Sequence, residues 1–132
     1  MKVILDASAA VAAVAGEKKL LVAEKTLGAT ATIAPDLFIV EVTNGLWKYV
    51  VWEGLPVEDA VKHLRSALSM INSFRSVAEL AEEALRAASI HRHPVYDLYY
   101  AILARREGAA ILTFDNRLKQ LCTKMGVPVA DA

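Results

Sequence analysis

No two strand-like runs in this chain are joined by a hairpin turn, and that constrains the fold more than any other feature. Val3-Ile4-Leu5, Ala31-Thr32-Ile33, Ala110-Ile111-Leu112-Thr113 and Val127-Pro128-Val129 are short, apolar and largely β-branched, as buried strands are. The sequence between them is helical in pattern. Asp6-Ala7-Ser8 leads into an alanine-rich helix over 9–15, ended by Gly16. A second helix over 17–27 carries Leu20, Leu21, Ala23, Thr26 and Leu27 as its apolar face. Pro35 suits the first turn of a long helix over 36–53, which Gly54-Leu55-Pro56 stops. Helices follow over 58–71, 77–90, 95–106 and 115–124, with a brief extended link over 73–76. Strands that alternate with helices or helix pairs predict an α/β fold with a mainly parallel sheet.

The 132 residues fit one domain, 1–132, and a hydrophobic content of 55% is ample for its core. Fifteen basic and fifteen acidic side chains cancel. That balance excludes nucleic-acid binding by bulk positive charge, so any such contact is local or bridged by a cation. The single cysteine, Cys122, precludes an intramolecular disulfide and reads as packing. Asp6 interrupts the first apolar run after three residues, so no secretory signal is expected, nor any membrane span. A cytoplasmic protein is the expectation.

Four acids stand in telling places. Asp6 follows the first strand and Asp115 follows the strand that ends near Thr113, and ligands of open parallel sheets bind beyond the carboxyl ends of strands. Each also suits a helix N-cap, and a capping carboxylate can still present a free oxygen. Glu41 lies between apolar residues in Phe38-Ile39-Val40-Glu41-Val42, where a charge tends to be buried and to need partners; Asn44 shares its face. Asp97 falls in the first turn after Pro94. Carboxylates brought together repel and raise one another's pKa values. Magnesium or manganese removes that conflict, suits hard oxygen donors and can activate water toward a phosphodiester.

At these residues the chain resembles the PIN-domain family. Val3-Ile4-Leu5-Asp6-Ala7-Ser8 resembles the first motif. Ala34-Pro35-Asp36-Leu37 with Glu41-Val42-Thr43-Asn44 resembles the second. Tyr96-Asp97-Leu98-Tyr99-Tyr100-Ala101-Ile102-Leu103-Ala104 resembles the third, and Leu112-Thr113-Phe114-Asp115-Asn116-Arg117-Leu118 the fourth. The short chain is most similar to VapC toxins of type II toxin–antitoxin pairs. The resemblance implies a three-layer α/β/α fold and a Mg2+- or Mn2+-dependent endoribonuclease. Asp6, Glu41, Asp97 and Asp115 would be the catalytic and metal-holding acids, and Ser8 and Thr113 the supporting hydroxyls. Asn116 stands where some relatives carry a further acid, which bears on the ligand count there. RNA is then the substrate and a small antitoxin the partner.

A homodimer is expected on other grounds. So much apolar content in a small fold must partly lie at the surface, and Leu46-Trp47-Lys48-Tyr49-Val50-Val51-Trp52 is apolar around most of its helix. His91-Arg92-His93 reads as cations at a helix end rather than a metal site. Arg105, Arg106, Arg117 and Lys119 are candidate phosphate contacts, though singly each reads rather as a solvated surface charge. A dehalogenase-type phosphatase would need an acid where Ser8 stands, and a receiver domain would need paired early acids. The alternative is a PIN-like module that binds RNA or protein without cutting.

Overall fold

The structure, a computed structural model, describes residues 1–130. Its strands are β1 (Val3–Leu5), β2 (Thr32–Pro35), β3 (Ser73–Arg75) and β4 (Ala110–Leu112). Its helices are α1 (Ala7–Val14), α2 (Lys19–Leu27), α3 (Leu37–Glu53), α4 (Val57–Ser69), α5 (Val77–His91), α6 (Val95–Glu107) and α7 (Asn116–Met125). The strands form one sheet in the order β3-β2-β1-β4, all parallel.

Alternation of side chains along the strands splits the interior in two. Ile4 pairs in register with Ile33 on one side and Ile111 on the other, and all three pack beneath α5, α6 and α7. Their neighbours Val3, Leu5, Ala34 and Leu112 face the opposite way, into a core shared with α1 to α4. The result is helix layer, sheet, helix layer, as the α/β/α reading requires. Among the described residues no helix is long and apolar enough to cross a membrane.

Several element boundaries differ from those read in the sequence. Pro35 ends β2 rather than opening a helix, and pairs with Arg75 of β3. The Asp36 N–H turns to the Arg75 carbonyl. The N–H that Pro35 lacks would therefore point toward β1, which has already ended, so proline costs no ladder bond. The link at 73–76 is a true edge strand. Val127-Pro128-Val129 is not a strand: it makes a single bridge, Val129 to Ile111. In α2 the buried residue is Val22, while Leu20 and Leu27 are each 85% exposed. Leucines on several sides of so short a helix left its inner face ambiguous. The helix after β1 starts at Ala7, two residues early, because Asp6 caps it directly.

The chain runs β1, β2, β3 outward to one side, then returns to add β4 on the other side of β1. Strand order reverses between β1 and β4. Such a switch point leaves a crevice at the carboxyl edge of the sheet.

Candidate active site at the strand switch point

Two acids flank that crevice from the strands. Asp6 follows β1 and caps α1; Asp115 follows β4 by three residues and caps α7. Asp6 is 5% exposed, and donors hold both its oxygens. Oδ1 accepts from the Ala9 N–H at 3.0 Å, and Oδ2 from the Thr113 hydroxyl at 2.6 Å. The Ser8 hydroxyl donates between the two, its Oγ 2.8 Å from Oδ1 and 3.0 Å from Oδ2. The Ser8 oxygen in turn accepts from the Phe114 N–H at 3.2 Å, and the Thr113 oxygen from the Asp115 N–H at 3.0 Å. Two hydroxyls thus lace the end of β1 to the end of β4 and fix the Asp6 carboxylate. Asp115 Oδ1 accepts from the Arg117 N–H at 2.9 Å.

The other two acids reach the crevice from helices. Glu41, half-buried on α3, accepts a 2.6 Å hydrogen bond at Oε1 from the Tyr100 hydroxyl of α6. Asp97, in the first turn of α6, has Oδ2 2.7 Å from Nε2 of His93; their side chains are 23% and 15% exposed. Among the described residues Glu41 Oε2, Asp97 Oδ1 and Asp115 Oδ2 accept no protein hydrogen bond. Asn44 lines a shallow surface hollow with Glu41, Lys48 and Tyr96, and Asn116 is exposed at the start of α7.

The acids feel one another. Burial pushes the Asp6 carboxyl up to about 6, against its hydrogen bonds from Thr113, Ala9 and Ser8; the charge of Asp115 adds to the rise. Burial also raises Glu41, opposed by Tyr100 and reinforced by Asp97 and Asp115. The Tyr100 phenol is held well above its usual range by its own burial, and next by Glu41. Cys122 is fully buried beneath the site, and desolvation with the charges of Asp97 and Asp6 takes its thiol to about 12. It is inert packing.

Among the described residues no lysine or arginine pairs with any of the four acids. Nor do any three His, Cys, Asp or Glu side chains stand close enough to hold an ion as they are. The chemistry of the donor set still fits a hard divalent cation: only carboxylates, mutually repelling, several with a free oxygen.

Two residues went unseen in the sequence. Tyr100 pairs with an acid 59 positions away, which no local pattern encodes. His93 lies four residues before Asp97, a spacing that did carry a signal, but Pro94 between them hid it.

A profile of the PIN domain family matches residues 3–124. Among solved structures, the crystal structure of PAE2754 from Pyrobaculum aerophilum is similar over 92% of this chain and 79% of that one, with 27% identity and a TM-score of 0.71. Comparison with curated protein sequences gave no match.

Proposed function

The chain belongs to the PIN domain family, whose members are generally nucleases that use divalent metals, and from that premise we propose that it is a metal-dependent endoribonuclease acting at Asp6, Glu41, Asp97 and Asp115. One observation carries the reading. Four carboxylates, linked by the charge of one on the next, gather at the strand switch point, and among the described residues no lysine or arginine pairs with them. A buried and a half-buried carboxylate without a countercharge are costly, and a fold that needed only caps would not place Glu41 there. A magnesium or manganese ion bound among these acids would neutralise them and supply a polarised water for phosphodiester hydrolysis. The rest falls to the chain's own groups. Ser8 and Thr113 keep Asp6 in one orientation, Tyr100 does so for Glu41, and His93 for Asp97. The oxygens of Glu41, Asp97 and Asp115 that lack protein donors are those left to face the ion, the water and the phosphate. Asn44 and Asn116 stand beside the acids as polar neighbours for the sugar–phosphate chain.

The finer reading is a VapC-type toxin, a homodimer restrained by a small antitoxin. An antitoxin arginine among the acids would compete with the metal, since guanidinium pairs well with carboxylates. The second reading, a non-cutting RNA- or protein-binding module, draws on the absence among the described residues of any three side chains already drawn around an ion.

Cleavage of generic RNA separates the two. Magnesium or manganese should be required, and should raise thermal stability by about 2.7 kcal/mol at a hundredfold its dissociation constant. Asp6→Asn should keep the fold and lose most cleavage. Undiminished cutting in Asp6→Asn, or in excess EDTA, rules the mechanism out.

A further inference from the structure

Beside the acids lies a small pocket of opposite character. His91 and His93 wall it from the α5–α6 corner, and Arg117, Gln120, Leu121 and Lys124 from α7. The four α7 residues recur at the spacing of one helix face, so the basic side of α7 is turned toward the histidines. The pocket holds about 100 Å3, roughly the room of three water molecules at ~30 Å3 each. No carboxylate lines it. Among the described residues Arg117, Lys124 and His91 form no ion pair, although the chain carries as many acids as bases. Arg117 and Lys124, unpaired cations turned into a shared hollow, repel one another, and an anion relieves that repulsion. The pocket also touches the acidic centre at two points. His93 lines it while holding Asp97, and Arg117 lines it while its N–H caps Asp115.

We propose that this pocket between α7 and the α5–α6 corner is a phosphate-binding subsite, which seats an RNA backbone phosphate adjoining the one at the acids. The proposal rests on the nuclease reading for its choice of RNA over a free anion. It explains how a chain with no net charge grips a polyanion: the contact is local, made by Arg117 and Lys124 through their charge and by His91 and Gln120 as donors. Arginine and lysine bind phosphate in different ways, the one as a fork and the other as a point charge, and the pocket offers both. It also runs the substrate along the α7 side of the crevice, where the basic subsite lies.

The test uses the Asp6→Asn background, so that RNA is bound and not cut, and follows a short fluorescein-labelled oligouridylate by anisotropy over a range of salt. The doubly substituted Arg117→Gln/Lys124→Gln protein should bind several-fold more weakly. Its plot of log affinity against log salt should flatten by about 0.7, the loss of one neutralised phosphate on a single strand. Arg117→Lys, which keeps the charge, should restore part of that slope when Lys124 remains substituted. Lys62→Gln, on α4 in the other helix layer, should change nothing. The substituted α7 residues are exposed, and circular dichroism checks that the fold persists. An unchanged slope in a protein whose wild type cuts RNA with metal overturns the subsite and leaves the nuclease standing. A flattened slope in a protein that never cuts RNA supports the subsite and refutes the nuclease. If inorganic phosphate stabilises the wild type but not the double variant while RNA binding is untouched, the pocket is a free-anion site and the proposal is overturned.

Discussion

At the scale of single residues, Asp6 sets a conflict between stability and chemistry. Its carboxyl holds a proton more tightly in the fold, to about 6, than at its ordinary 3.8. Between those pH values the folded state binds more protons than the unfolded one, so stability falls as pH rises through that window. This is the reverse of an ion-paired carboxylate, whose contribution is lost on acidification. Above pH 6 the full cost stands, about 3 kcal/mol. Asp6→Asn keeps the acceptor for Ala9 and removes the charge. In EDTA it should match the wild type near pH 4 and exceed it by about 2–3 kcal/mol at pH 7, read by chemical denaturation at both values. A difference that stays constant with pH would mean the burial of Asp6 carries no such cost. Saturating metal should narrow or reverse the gap, since only the wild type offers a charged ligand there. This residue was legible in the sequence because its signal is local: an acid placed where an apolar strand stops. Asp115 was legible for the same reason. Tyr100 was not, because its partner is fixed only when α3 and α6 meet over the sheet.

At the scale of elements, the position of α3 decides where Glu41 stands, and a glycine sets how close α3 comes to α1. A Cβ on Gly45 would lie 2.9 Å from the Val11 Cγ2 methyl. Valine in a helix has one strongly preferred rotamer, so it cannot simply turn away. Gly45→Ala gains up to about 1 kcal/mol of helix propensity but must push α3 outward, and overpacking costs about 1–3 kcal/mol. The net should be a modest loss of stability with a larger loss of cleavage, because Glu41 lies one turn away on the same helix. Adding Val11→Ala should recover both, with a coupling of about 0.5–3 kcal/mol in the double-mutant cycle. If Gly45→Ala alone proves more stable and fully active, close approach is not what the glycine is for. The helices and the central strands were readable from periodicity and stop signals alone. What escaped was decided by neighbours in space. Pro35 is acceptable in β2 only because β1 has ended beside it. Ser73–Arg75 is a strand only because β2 offers an edge. Val127–Val129 fails as a strand because its contact with β4 extends to one bridge.

At the scale of the whole molecule, the outer surface of α3 and the start of α4 expose Trp47, Val51, Trp52 and Val57 at 51–67%. Trp47 and Trp52 lean on each other with ring centroids 5.9 Å apart, a pair that shields itself only in part. Apolar surface of this kind favours self-association, so light scattering at micromolar concentration should give about twice 14.3 kDa or a multiple. Trp47→Ser with Trp52→Ser should shift the protein toward the monomer without loss of helical signal; a wild type that is monomeric at all concentrations would end the dimer reading. The placement of β1 has a separate consequence, for synthesis rather than for assembly. Of the four strands, the first to be made sits inside the sheet, and one of its two partners is the last to be made. The hydroxyl that fixes Asp6 comes from Thr113, 107 residues later. Contacts so distant along the chain form slowly and close late. A growing chain can therefore form most of its helices before the four acids stand together. Asp6 gains its Thr113 hydroxyl, and Asp115 its place beside it, only once β4 has been made and paired with β1.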